Sequence, residues 1–217
     1  LSVTATDAAG NQSSPSNITA PNVIEEPVNL LRSVVDDVGS ITGALTSGQS
    51  TDDSRPTFSG RGTAGTTINI FDNGVKIGSV QVGSDGNWSY TPTTPLKDGN
   101  HSIVATGTQT PDNSIPGFKF AVDTTPPTAP SGLTPSADGT HLSGKAEPGS
   151  EVIIRDAGGK EIGKGTADAS GSFNITLNPA QITGAPLTAT ASDSAGNISL
   201  AGELTPGRAD TATGIIS

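Results

Sequence analysis

The chain has 217 residues, of which 28 are Gly and 16 Pro, with 31% hydrophobic and only 3% aromatic residues. So few apolar side chains argue for thin cores rather than one large one, and so much Gly and Pro argues against helices. With Lys+Arg 11 against Asp+Glu 21 the net charge is −10, which disfavours nucleic acid and anionic membrane surfaces, and the absence of Cys excludes disulfides, thiolate metal sites and Cys nucleophiles.

In chain order, no signal peptide and no transmembrane run is seen. Leu1-Ser2-Val3-Thr4-Ala5-Thr6 begins within a strand pattern. Residues 1–20 are therefore expected to be the C-terminal strands of a preceding repeat. A Pro-containing connector follows at Pro21 to Pro27. Residues 21–124 read as one domain, with strands predicted at 28–35, 56–61, 67–72, 75–82, 87–91, 101–108 and 117–123. Asp72-Asn73-Gly74 is a predicted hairpin turn, because Asn-Gly accepts the positive φ of a tight hairpin. Alternation points Ile68, Ile70, Trp88, Tyr90, Ile103, Ala105, Phe118, Phe120 and Val122 inward. The parity slips between Ile77 and Val80, next to Gly78, which predicts a bulge. A second stiff connector, Asp123-Thr124-Thr125-Pro126-Pro127, leads into a second domain over 125–205, and 206–217 begins another linker.

The repeats are legible directly. Leu187 to Asn197 echoes Leu1 to Asn11. Phe58-Ser59-Gly60 matches Leu142-Ser143-Gly144, and Asp85-Gly86-Asn87-Trp88 matches Ser170-Gly171-Ser172-Phe173. The inward set of the second domain is expected to be Leu142, Val152, Ile154, Ile162, Phe173, Ile175, Leu177, Leu187 and Ala189. Seven short strands per repeat, with turn signals between them, predict an all-β chain of tandem immunoglobulin-like seven-stranded β-sandwiches, arranged end to end.

That arrangement sorts the acids. Antiparallel turns alternate between the two ends of a sandwich. The trailing end of the first domain collects Asp36, Asp37, Asp52, Asp53, Asp72, Asp98 and Asp123. The leading end of the second offers Glu147, Asp168, Asp193 and Asn197. Converging carboxylates repel, and Ca²⁺, which takes 6–8 oxygen ligands, offsets that repulsion. Asp and Asn are also ordinary turn formers, but the pairs Asp36-Asp37 and Asp52-Asp53 exceed what a turn needs. Asp36, Asp37, Asp52, Asp53, Asp72, Asp123 and Asp193 are the candidate calcium ligands. Asp7 and Asn11 fall at the far end of the preceding domain and are assigned to an interface outside this sequence. Glu25, Glu26, Asp85 and Asp112 mark a weaker acidic group at the opposite end of the first domain.

Other residues read blandly. Trp88 aligns with Phe173 and is expected in the core rather than as a sugar platform. His101 and His141 lie near strand starts, and nothing resembles a nucleophile elbow. Four sequons, at Asn17, Asn87, Asn174 and Asn197, are common by chance in such a composition.

Several motifs carry a family resemblance. Asp36-Asp37-Val38-Gly39, Thr51-Asp52-Asp53, Pro56-Thr57-Phe58-Ser59-Gly60, Phe71-Asp72-Asn73-Gly74 and Asp123-Thr124-Thr125-Pro126-Pro127 resemble the bacterial Ig-like repeats of giant, type I-secreted, RTX-like adhesins and biofilm-associated proteins. The second repeat resembles a shorter subtype, through Ala146-Glu147-Pro148-Gly149-Ser150 and Asp193-Ser194-Ala195-Gly196-Asn197. The resemblance implies a non-catalytic, monomeric stalk segment on the bacterial surface. It implies calcium at domain junctions and neighbouring Ig-like repeats as partners. A host-cell or biofilm-matrix receptor would be engaged through the parent protein. The alternatives are that the segment is itself a receptor- or glycan-binding module, or an accessory module of a secreted polysaccharide-active enzyme. The second repeat departs by lacking the Asp-Asp-Val-Gly segment, and the first has Gln109-Thr110-Pro111-Asp112 in place of an Asp-x-Ala-Gly-Asn loop.

Overall fold

The computed structural model describes residues 2–14, 16–17, 29–107, 115–181 and 185–204. The connector at 21–27, Glu25, Glu26, Asp112 and the segment after 204 lie outside the described residues. Every described element is a strand. The chain opens with a hairpin, β1 (Ser2–Val3) against β2 (Ser16–Asn17), closed further by a Thr6↔Gln12 bridge.

The first sandwich follows. One sheet has the order β4-β3-β6-β9, from β3 (Leu31–Asp36), β4 (Gly43–Ala44), β6 (Thr57–Arg61) and β9 (Asn87–Tyr90). The other has the order β5-β11-β10-β7-β8, from β5 (Ser50–Thr51), β7 (Thr67–Asp72), β8 (Val75–Gln81), β10 (Gly99–Thr106) and β11 (Phe118–Val122). The seven expected strands are all present. Two two-residue strands, β4 and β5, were not signalled, because two residues carry no periodicity. β5 pairs parallel to β11, through Ser50 and Thr51, and this places Thr51 beside the linker.

Alternation decides the packing. Ile68, Ile70, Trp88, Ile103, Ala105, Phe120 and Val122 form one core with Val34 and Phe58, while Tyr90 and Phe118 are half-buried against it. Ile70 pairs with Gly78 and Phe71 with Lys76, so Ile77 is the extra residue of a bulge. Its freed carbonyl accepts a 2.7 Å hydrogen bond from Tyr90 Oη. Gly78 is required there because a Cβ would overlap the Tyr90 ring. The hairpin turn holds Asn73 at φ 48° and Gly74 at φ 80°, as the sequence predicted.

The second sandwich has seven strands among the described residues. They are β12 (Ser131–Pro135), β13 (His141–Lys145), β14 (Glu151–Arg155), β15 (Glu161–Thr166), β16 (Ser172–Thr176), β17 (Leu187–Ser192) and β18 (Gly202–Leu204). They form sheets of order β12-β13-β16 and β15-β14-β17-β18. All nine residues expected inward are buried in one core. Gly60 and Gly144 occupy equivalent places. A Cβ on Gly60 would strike Trp88 and the Leu30 carbonyl, and one on Gly144 would strike Phe173 and Leu133. The repeated Ser-Gly thus leaves room for Trp88 in one domain and Phe173 in the other.

Candidate functional site

Four acids of the first domain, Asp36, Asp37, Asp52 and Asp53, gather because two local turns present them together. Asp36 ends β3 and is 2% exposed. Its Oδ1 accepts from the Val38 N–H at 3.0 Å and its Oδ2 from Thr51 Oγ1 at 2.6 Å. That second bond joins the ends of β3 and β5, which belong to opposite sheets. Asp53 is 3% exposed, and its Oδ1 accepts from the Arg55 N–H at 2.7 Å. Asp53 Oδ2 and Asp52 Oδ1 are buried and have no hydrogen-bond partner. Gly39 stands at φ 70°, and the Asp52 carboxylate fills the space a Cβ would take.

The electrostatics follow from this crowding. Burial, then the Asp36 charge, then Asp193 and Asp53, raise the Asp52 pKa above its ordinary value. Burial raises that of Asp53, aided by Asp36 and Asp37, although backbone N–H groups of Arg55 and Asp37 pull the other way. The ion pairs among the described residues are His101–Asp72 and Lys164–Glu151. No Lys or Arg therefore neutralises this group within the described chain. Equally, no set of three or more Asp, Glu or His side chains there is arranged to hold a metal through those groups alone.

The second domain reaches this end through the loop 193–197. Asp193 Oδ1 accepts from the backbone N–H groups of Ala195, Gly196 and Asn197, and its Oδ2 from Asn197 Nδ2. Its carboxylate thus organises its own loop. The loop meets the first domain at three hydrogen bonds. Asp52 N donates to Ala195 O at 3.1 Å, Ser40 Oγ to Gly196 O at 2.7 Å, and Asn197 Nδ2 to Asp123 O at 2.7 Å.

Of the seven candidate ligands, Asp36, Asp37, Asp52, Asp53 and Asp193 act on one another here. Asp123 arrives through its backbone. Its N–H donates to Thr51 O, its carbonyl accepts from Asn197, and its Oδ1 takes the Thr125 N–H. Asp72 is committed elsewhere, to His101 Nδ1 at 2.7 Å and the Ser102 N–H at 3.2 Å. Asp98 accepts from Thr124 and Thr125 and clamps the linker. Asp168 and Asp85 are held within their own turns. Sequence reasoning missed Thr51, Ser40 and the carbonyls of residues 195 and 196. Hydroxyls and carbonyls carry no charge pattern, and Gly39 was the one available signal. His141 sits between the hydroxyls of Thr140 and Thr176, and His101 between Asp72 and the Lys97 carbonyl.

Comparison with known proteins fits this architecture. A bacterial Ig-like domain profile matches residues 30–124, and a bacterial Ig domain profile matches residues 126–206. The chain belongs to the bacterial Ig-like domains. Its two Ig-like units are all-β sandwiches, and no helix among the described residues is long and apolar enough to cross a membrane. No curated protein matches the sequence. Among solved structures it is similar to a biofilm associated protein BSP domain, at 24% identity over 83% of this chain and 30% of that one, with a TM-score of 0.35. It is similar to the Yersinia pseudotuberculosis adhesin InvE, at 12% identity over 72% of this chain and 56% of that one, TM-score 0.25. It is also similar to a two-domain fibronectin type III segment of chicken tenascin, at 13% identity over 79% and 99%, TM-score 0.29. The chain spans about a third of the length of the biofilm protein structure.

Proposed function

We propose that this tandem is a non-catalytic, monomeric spacer of a large bacterial surface adhesin, stiffened by Ca²⁺ where its two Ig-like domains meet. Its task is mechanical. Two sandwiches in series hold an adhesive part of the parent protein away from the cell, in attachment to host cells or within a biofilm. The observation that carries the calcium reading is the pair of buried carboxylate oxygens, Asp52 Oδ1 and Asp53 Oδ2, left without a hydrogen-bond partner and with no ion pair to either acid among the described residues. A buried carboxylate without compensation is costly, and a bound divalent cation removes that cost. The open oxygens of Asp52 and Asp53 suit a hard cation, with the Asp36 and Asp37 charges nearby and Asp123 at the linker. Backbone carbonyls and water would complete the shell.

Titration calorimetry with Ca²⁺, followed by melting in Ca²⁺ and in chelator, tests the proposal. One junction ion per chain is expected, with a higher melting temperature in calcium because the ion binds only the folded state. Asp52→Asn and Asp53→Asn should each weaken binding by about tenfold or more. In chelator the same substitutions should stabilise the first domain, since each removes an uncompensated buried charge. A chain that takes up no calcium, and melts alike with and without chelator, would refute the reading.

A further inference from the structure

We infer that the angle between the two domains is set without any cation, by loop 193–197 acting as a preformed latch, and that Asn197 is its positioning residue. This deepens the spacer reading and depends on it only for its consequence, that calcium narrows an angle already chosen.

The loop is preformed because its twin shows the same fold with no described residue docked on its tip. At an offset of 186, Asp7 repeats the bonds of Asp193 to the second and fourth following residues, though not the one to Gly196. Asp7 Oδ1 takes the N–H groups of Ala9 and Asn11, and its Oδ2 takes Asn11 Nδ2 at 3.0 Å. Ala5 N donates to Ser13 Oγ as Ala191 N donates to Ser199 Oγ, each at 2.9 Å. The bridge Thr6↔Gln12 repeats as Ser192↔Ile198. Asn11 and Gly10 are exposed, and a Cβ on Gly10 would meet nothing within 4 Å. The shape therefore follows from the Asp-x-Ala-Gly-Asn sequence itself, by Asx-type bonding. Docking selects it rather than creates it.

The second copy is seated. Asn197 is 8% exposed, and its Nδ2 spans Asp193 Oδ2 at 2.9 Å and the linker carbonyl of Asp123 at 2.7 Å. One amide thus ties the loop to the linker. Gly196, at φ 104°, lies so close that a Cβ would come within 3.3 Å of Ile41 N and 3.4 Å of Asp52 Oδ2. All three cross-domain bonds use backbone or neutral side-chain donors and carbonyl acceptors. None needs a metal, and the carbonyls of Ala195 and Gly196 are already engaged. Loss of one such bond should lower the docked-to-undocked ratio about fivefold.

The chain has no Cys, so Lys76→Cys and Lys160→Cys, both exposed, give one spin label per domain. Pulsed dipolar distances measured in chelator should show a single narrow distribution. Asn197→Ala should broaden it, with or without calcium. Ser40→Ala, which alters only the cross-domain side, should broaden it while the melting of each domain is unchanged. This second variant separates latching from any folding defect of loop 193–197. A broad distribution in chelator that narrows only with Ca²⁺ overturns the latch and leaves the calcium reading standing. Narrow distributions in both variants overturn it as well. Failure of calorimetric calcium binding overturns the calcium reading alone, because the latch is judged in chelator.

Discussion

Asp52 and Asp53 show how position within one loop changes the meaning of a residue type. Both have pKa values raised above the ordinary aspartate value, chiefly by burial. For a carboxyl with a raised folded pKa, stability is fully present below the unfolded value and is lost as pH rises through the folded value. In chelator, the first domain should therefore lose this contribution as pH rises from about 4 toward neutrality. Calcium should abolish that loss. Melting temperatures across this range, with Ca²⁺ and with chelator, check both statements, and a flat profile in chelator would count against the buried-charge account. Asp138 runs the opposite way. Hydrogen bonds from Ser136 and then Thr140 lower its pKa to about 2, so its contribution fades only on acidification through that value. Sequence identified the acids but not their states. Asp36 and Asp72 look alike as turn-adjacent aspartates. One is buried against Thr51 and the other is committed to His101.

At the scale of the element, most of the fold was legible. Strict alternation placed Ile68, Ile70, Ile103 and Phe120 in the first core, and all nine expected residues in the second. The parity slip at Gly78 marked the real bulge, because an extra residue reverses which face each side chain meets. Gly78→Ala should cost about 1–3 kcal/mol by forcing Tyr90 off its ring position. It should also break the Tyr90–Ile77 hydrogen bond. Denaturant unfolding of the first domain measures the loss, and a change within error would show that β8 can shift instead. β4 and β5 were not legible. Each has two residues, and β5 exists through its parallel pairing with β11, a contact far away in sequence.

Across the whole molecule, two separate cores predict two separable stabilities. Phe58 and Leu142 are fully buried, one in each core. Phe58→Ala should cost about 3–5 kcal/mol and Leu142→Ala about 2–5 kcal/mol, each in its own domain. Trp88 is the sole Trp and lies in the first core. Its fluorescence midpoint should therefore move for Phe58→Ala, while only circular dichroism should register Leu142→Ala. Equal shifts of both signals in both variants would mean that the domains unfold as one unit. By itself the sequence determined the all-β class, the repeated sandwich, the core faces and the turn at Asn73-Gly74. Those depend on local period, local φ and internal repetition, which short windows contain. Only the tertiary structure decided which acids meet, which are satisfied within their own turns, and which neutral atoms of loop 193–197 touch the first domain. Those choices depend on how distant turns are brought to one end of a sandwich, and no window of the sequence holds both partners.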